Sequence, residues 1–447
     1  MAVLKTGQAV ELTLESLAAG GDAVGHYDGQ AVFVPFGAPG DRARVRVGEA
    51  HRTYCRAVIE QLLDHSPDRV TPRCPLFGRC GGCQWQLLSY PAQLEQKRRI
   101  LHDALARIGG IAPPGIVIVP DPTGWGYRNK AQFPVAGRPG ELRAGFYRRD
   151  SHEIVPVSHC PIAVEPVNRA WPAVLGILQS SGLAGYDEQR HRGLLRHAVL
   201  RSGSGGALSL TLVTLHDADL GPVGRRLAAA VPGVVSVWQN INPGRGNAIL
   251  GSRWRHLCGE PHLPATVAGS RLRLSPGAFL QANLPQAAQA YRLLAEALAT
   301  QPHETVLDLY CGAGAIALLV AGRARAVIGI EEVPQAVEDA AAGAASSGIA
   351  NCRFIAGAVE RRIMDVGSAS VVVLDPPRKG AGASLWPEIK RLAPRTVAYL
   401  SCNAATLARD AAALTESGYR LERLWLLDFF PQTHHVEALA VFQLVAT

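Results

Sequence analysis

Lysine and methionine are scarce in this chain: 447 residues hold five Lys and two Met, while Lys and Arg together number 45. The arginine bias reflects a GC-rich coding sequence as much as chemistry, so charge alone is a weak guide to function. No stretch of about 18 residues is both apolar and uncharged, which excludes a membrane-spanning helix. The opening segment, MAVLKTGQAVELTLES, has no apolar core ahead of a small-residue cleavage site, so a cytoplasmic location is expected. No internal repeat occurs, and the one biased tract is an Ala-rich stretch near 336–346. Charged residues are few at 18% and apolar residues reach 48%, which excludes a disordered chain.

What is present points first to several domains, because domains average roughly 150 residues. The net charge of +8 and a pI near 9.1 favour a polyanionic partner such as nucleic acid. Nine cysteines in a cytoplasmic chain are not expected to pair as disulfides.

Residues 1–62 read as an all-β module. VELTLES, AVGHY, QAVFVPF, DRARVRVG and YCRAVIEQLL are short alternating segments punctuated by Gly20-Gly21, Asp28-Gly29 and Pro39-Gly40. Five such strands suit a small barrel of the oligonucleotide-binding type, or an SH3-like barrel without a ligand. In DRARVRVG, period two puts Arg42, Arg44 and Arg46 on one face, a candidate stripe for phosphate contacts or a solvated strand face.

Residues 63–265 form a second region. It opens on two Pro-flanked cysteine segments and continues into PAQLEQKRRILHDALARIGG, whose spacing predicts an amphipathic helix over 91–110 that could pack on the catalytic domain. Strands such as GIVIVP, AQFPVAG and ALSLTLVTL follow, indicating an antiparallel sheet with some helix. From about 266 to 447 the rhythm becomes β-α-β-α, with seven strands, the pattern of an α/β doubly wound sheet.

Five motifs carry chemistry. DLYCGAGAIAL joins a strand to a helix, where Gly312 and Gly314 let backbone approach a ligand. Glu331 ends the next strand, 23 residues after Asp308, where a carboxylate can accept both ribose hydroxyls. The ligand is a dinucleotide or S-adenosylmethionine, and the missing third glycine of G-x-G-x-x-G suits the latter. LDPPRKG places Asp375 over the same crevice; Arg378, rather than an aromatic, follows the prolines, which disfavours methylation of an exocyclic amine. YLSCN ends the fifth strand in Cys402, either a nucleophile or inert packing. QTHHVEAL puts Glu437 before the last strand.

Together these residues make one reaction. Thiolate addition at C6 of uracil makes C5 nucleophilic enough to attack a sulfonium methyl, and a base must then remove the C5 proton. Cys402 would be the nucleophile and Glu437 the base. The fifth motif is Cys74-x5-Cys80-Gly-Gly-Cys83 with Cys160 far downstream. Three clustered thiolates and one remote thiolate suit a cubane iron–sulfur cluster, zinc being the competing reading.

The ensemble resembles the RNA uracil-5-methyltransferase family, and within it the iron–sulfur branch acting on 23S ribosomal RNA. GGDAVGHYDGQAVFVPFGAPGD looks like a TRAM domain; CPLFGRCGGCQWQ and SHCP match the branch's cluster-binding segments; YRNKAQFPV, RGLLRHAVLR, SPGAFLQAN, SCNAATLARD and HHVE follow in order. The resemblance implies a class I methyltransferase domain at 266–447, an α+β central domain at 63–265 and a TRAM barrel at 1–62. It implies that Gln281, Tyr310, Glu331 and Asp375 bind S-adenosylmethionine. It implies Cys402 as nucleophile, Glu437 as base, and Cys74, Cys80, Cys83 and Cys160 as ligands of a 4Fe-4S cluster. The expected partner is RNA, 23S rRNA foremost, bound by a monomer that needs no membrane. The alternatives are a tRNA enzyme of the same mechanism and a non-catalytic RNA-binding iron–sulfur sensor. Ala315 departs from the family, many of whose members have Asn there.

Overall fold

The computed structural model of the chain describes residues 4–445. Strands β1 (Ala9–Leu17), β2 (Ala23–Tyr27), β3 (Gln30–Val34), β4 (Arg42–Ala50) and β5 (Tyr54–Asp64) close into a barrel in the order β1-β2-β3-β5-β4. Strict alternation builds it: Val10, Leu12 and Leu14 of β1 and Ala43, Val45 and Val47 of β4 point inward. The barrel does not end at residue 64. Trp85, Leu87 and Leu88 join its core, and the Trp85 indole N–H donates to the Gly21 carbonyl at 3.0 Å.

Helix α1 (Tyr90–Arg107) follows, then β6 (Ile116–Val119). The central sheet is built from β7 (Lys130–Ala136), β8 (Arg143–Tyr147), β9 (Ile154–Pro156), β10 (Leu195–Ser202), β11 (Leu208–Thr214), β12 (Val234–Ile241) and β13 (Arg253–Gly259), ordered β13-β12-β11-β10-β7-β8-β9. Helices α2 (Glu165–Gln179) and α3 (Gly221–Ala230) cover its apolar face. The sheet is mixed rather than antiparallel throughout, because α3 carries the chain from β11 to a parallel β12.

A hairpin of β14 (Leu263–Val267) and β15 (Ser270–Leu274) leads into α4 (Leu284–Leu298), and then the doubly wound region begins. Its elements are β16 (Thr305–Leu309), α5 (Ala315–Val320), β17 (Ala326–Glu331), α6 (Pro334–Ser346), β18 (Cys352–Ala356), α7 (Val359–Arg362), β19 (Val371–Leu374), α8 (Leu385–Leu392), β20 (Thr396–Ser401), α9 (Ala404–Glu416), β21 (Tyr419–Leu427) and β22 (Glu437–Leu444). The sheet has eight strands, ordered β18-β17-β16-β19-β20-β22-β21-β6. Seven come from the expected region. The eighth, β6, was expected in the central sheet and instead pairs in parallel with β21. Its neighbour in sequence decides this: Leu101 and Leu105 of α1 are buried in the core beneath the catalytic sheet, so α1 packs on α9 and delivers β6 to that sheet's edge. All four residues of β19 are buried, as two-faced parallel strands require.

Candidate active site

The carboxyl ends of β16, β17, β19 and β20 meet at one edge, the place where open α/β sheets bind ligands. At the end of β16 the chain turns sharply. Tyr310 is left-handed at φ 61°, and Gly312 and Gly314 follow at φ 53° and 82°. A Cβ on Gly312 would meet nothing within 4 Å, so this backbone stays open to a ligand. A Cβ on Gly314 would press on Ala340 and Phe354, so that glycine serves packing of α5.

Asp308 lies in β16, fully buried, and neither carboxylate oxygen has a partner. Burial first, and then the neighbouring Asp375 and Glu331, push its pKa up to about 8. Asp375 stands just past β19, pushed up to about 7 by burial and partly relieved by the Gln281 amide beside it. Gln281 is itself buried, its main-chain carbonyl accepting from the Asn129 side chain at 2.9 Å. A gap lined by Gln281, Tyr291, Asp308, Tyr310, Gly312 and Asp375 separates these groups. An orphaned buried carboxylate, that of Asp308, beside the gap calls for a cationic, hydrogen-bonding ligand, and a sulfonium nucleoside fits.

Glu331 is occupied differently than the sequence suggested. Its two oxygens accept from the Gly312 and Val333 amides at 3.0 and 2.9 Å, so it braces the glycine turn. The Tyr310 hydroxyl donates to Glu360 at 2.8 Å, which turns its ring toward the gap. Ala315 opens α5 on the lining of the same gap and offers it only a methyl group.

Cys402 and Glu437 come together through strand register. In the antiparallel pair β20–β22, Ser401 faces Ala438, so Cys402 and Glu437 are the next opposed positions. Burial, then Glu437, raise the Cys402 thiol to about 11, while Arg378 pulls the other way. Burial, then Asp375, raise Glu437 well above the usual carboxylate range, offset by Arg378 and Lys97. Cys402 opens into a cleft of about 850 Å³ lined also by Arg378, His435, Arg99 of α1 and the barrel turn Leu17–Gly20. The barrel thus faces the cleft with β1 and β2, not with β4. Arg42 and Arg44 pair with Glu11, and Arg46 pairs with Glu60, so the arginine stripe is largely neutralised.

Cys74, Cys80, Cys83 and Cys160 line a second cavity of about 670 Å³, together with Arg128, His197 and His434. The Gly82 amide donates to the Cys80 sulfur at 3.4 Å, and the Cys160 amide is held by Asn168 at 2.9 Å. Burial pushes the Cys83 thiol to about 12, and the charges of the other three cysteines add to the effect. Among the described residues no group of three or more Cys, His, Asp or Glu side chains stands close enough together to hold a metal ion, the four cysteines included.

Sequence reasoning missed three groups. Asp308 was read as the start of a glycine motif, although a carboxylate within a buried parallel strand is itself a signal. Tyr291 lines the same gap as Asp375 and Asp308 and carried no motif. Gln432 makes sense only through contacts with residues more than 300 positions away.

Comparison with known proteins agrees with this geometry. Residues 265–444 match the family described as tRNA (Uracil-5-)-methyltransferase, and residues 3–59 match the TRAM domain. A protein of Gloeobacter violaceus named as an uncharacterized RNA methyltransferase is 39% identical, covering 98% of this chain and 97% of its own. A similarly named protein of Halalkalibacterium halodurans is 38% identical, covering 97% of each chain. The solved structure of the Pyrococcus abyssi tRNA (uracil-54, C5)-methyltransferase with S-adenosyl-L-homocysteine superposes with a TM-score of 0.79 at 26% identity, over 97% of this chain and 99% of that one. With a TRAM barrel, a class I methyltransferase sheet and full-length relatives of this kind, the chain belongs to the RNA uracil-5-methyltransferase family and is an S-adenosylmethionine-dependent RNA methyltransferase.

Proposed function

We propose that the enzyme methylates C5 of a uridine in 23S ribosomal RNA, with Cys402 as nucleophile and Glu437 as base. The observation that carries the mechanism is the register of β20 and β22, which makes Cys402 and Glu437 the next opposed positions, with Cys402 opening into the cleft. The thiolate adds to C6 and the electron pair moves to O4, giving an enolate. C5 attacks the methyl carbon, and the carbon–sulfur bond of the sulfonium breaks toward sulfur. Glu437 takes the C5 proton, the C5–C6 double bond reforms, and the Cys402–C6 bond breaks to release thiolate. Arg378 favours the thiolate before addition and the carboxylate before proton removal. Asp308, Asp375, Gln281, Tyr310 and Glu331 are the groups offered to S-adenosylmethionine.

The 4Fe-4S reading rests on the cysteine spacing, three clustered thiols and one remote, and on all four lining one cavity. When bound, the cluster would supply four strong links between segments otherwise joined by hydrogen bonds. These cysteines are also what ties the chain to the 23S rRNA branch. The likeness to an enzyme acting on tRNA uracil-54 keeps tRNA as the second substrate reading. The test is to incubate RNA from a strain lacking the protein with the enzyme and S-adenosylmethionine and map the methyl groups: restoration of 5-methyluridine in 23S rRNA is expected, and restoration in tRNA alone would select the second reading.

A further inference from the structure

The segment Asp428–Val436 connects β21 to β22 and leads into Glu437. Its middle residue, Gln432, is 3% exposed and left-handed at φ 70°, a conformation that non-glycine residues adopt only when their surroundings enforce it. The enforcing contacts come from far away in sequence. Its carbonyl accepts from the amides of Gln84 and Trp85 at 3.1 and 3.0 Å, the two residues that follow Cys83. Its amide donates to the Gln93 side-chain oxygen at 2.8 Å, and the Gln93 side-chain nitrogen donates back to the Gln432 side-chain oxygen at 3.0 Å. The remaining Gln432 nitrogen donates to the Gly124 carbonyl at 3.3 Å.

Neighbouring residues are fastened to the same frame. Lys97 of α1 pairs with Asp428 at 2.6 Å, both fully buried, and donates to the Phe430 carbonyl at 2.9 Å. The Tyr127 hydroxyl donates to the Pro431 carbonyl at 2.9 Å. His434 contacts the Gln84 side chain at 3.1 Å and lines both the cysteine cavity and the Cys402 cleft. Three successive carbonyls, 430 to 432, are thus held by the cysteine segment, α1 and the loop before β7.

We propose that Gln432 is a positioning residue through which the cysteine segment and α1 set the placement of Glu437. The inference rests on Glu437 being the base. A segment pinned this completely has little freedom of its own, so releasing one pin shifts what it carries. The step that needs Glu437 should suffer while the step that needs Cys402, which β20 and α9 hold separately, should not.

The test uses full-length protein with Gln93→Ala and Gln432→Gly. The glycine keeps the left-handed backbone, the two bonds its carbonyl accepts and the one its amide donates, and removes only the amide side chain. Single-turnover assays with RNA and labelled S-adenosylmethionine separate formation of the covalent protein–RNA adduct from its release, with Glu437→Gln alongside. Release should slow by about tenfold or more, as expected of a misplaced base, while formation and S-adenosylhomocysteine affinity stay within about twofold. The adduct should accumulate as in Glu437→Gln. Unchanged release, or a parallel loss of both steps in both variants, overturns the positioning role. If Glu437→Gln itself accumulates no adduct, the base assignment fails and takes this inference with it; adduct in Glu437→Gln but in neither glutamine variant sinks the inference alone.

Discussion

A thiol and a carboxylate at the ends of two paired strands are ordinary until burial raises both, with Glu437 adding to the effect on Cys402 and Asp375 to that on Glu437. Cys402→Ala should therefore abolish methylation while leaving cofactor binding within about twofold, since the thiol acts on the base and not on the methyl donor. Retained turnover in that variant would move the nucleophile elsewhere, Cys311 being the nearest alternative in sequence to the cofactor turn. The cofactor side carries its own pH signature. Asp308 and Asp375 hold protons up to about 8 and about 7, and only their ionised forms attract a sulfonium cation. S-adenosylmethionine affinity, measured by calorimetry, is expected to rise between pH 6 and pH 9, with proton release on binding, and Asp308→Asn should flatten the rise. Cys402, Glu437 and Asp375 stand out in the sequence because spacing marks strand ends. Asp308 was absorbed into the glycine motif, and Gln432 and Tyr291 were not legible, because neither sits in a pattern and their contacts arise only from tertiary structure.

The strands and helices show where local pattern misleads. The alternation in β4 does put three arginines on one face, but the opposing face of β1 and β5 brings Glu11 and Glu60 against them. A charge pattern within one strand says nothing about its neighbours. Replacing Arg42, Arg44 and Arg46 with Gln should leave the salt dependence of RNA binding nearly unchanged. Arg99→Gln, on the face of α1 that lines the Cys402 cleft, should lower the slope of log affinity against log salt by about one. Equal slopes for wild type and Arg99→Gln would remove α1 from the RNA path. Helix α1 also holds the buried Lys97–Asp428 pair. Lys97→Met strands a buried carboxylate and should cost about 3–5 kcal/mol in urea unfolding, whereas a loss under about 1 kcal/mol would mean the pair is dispensable.

At the scale of the whole molecule, the division into barrel, central sheet and catalytic sheet was readable from the change in strand rhythm. The stitching between them was not. Trp85 completes the barrel core, β6 completes the catalytic sheet, and four cysteines spread over residues 74 to 160 line one cavity beside the segment that carries Glu437. Each of these depends on where an element docks, which strand periodicity does not encode. Because Trp85, Leu87 and Leu88 fill the barrel, cutting the chain after residue 62 would expose them, and point substitutions are the sounder probe of its role. Protein made without oxygen should be brown and contain about four irons per chain. Stoichiometric zinc without iron would overturn the cluster reading. The central claim, that Cys402 and Glu437 share one covalent reaction on uracil, is tested most directly by Glu437→Gln incubated with RNA and S-adenosylmethionine and analysed by mass spectrometry under denaturing conditions. The predicted result is an RNA–protein adduct joined through Cys402 whose uracil already carries the methyl group. Normal turnover with no adduct, or an adduct on another thiol, would contradict it.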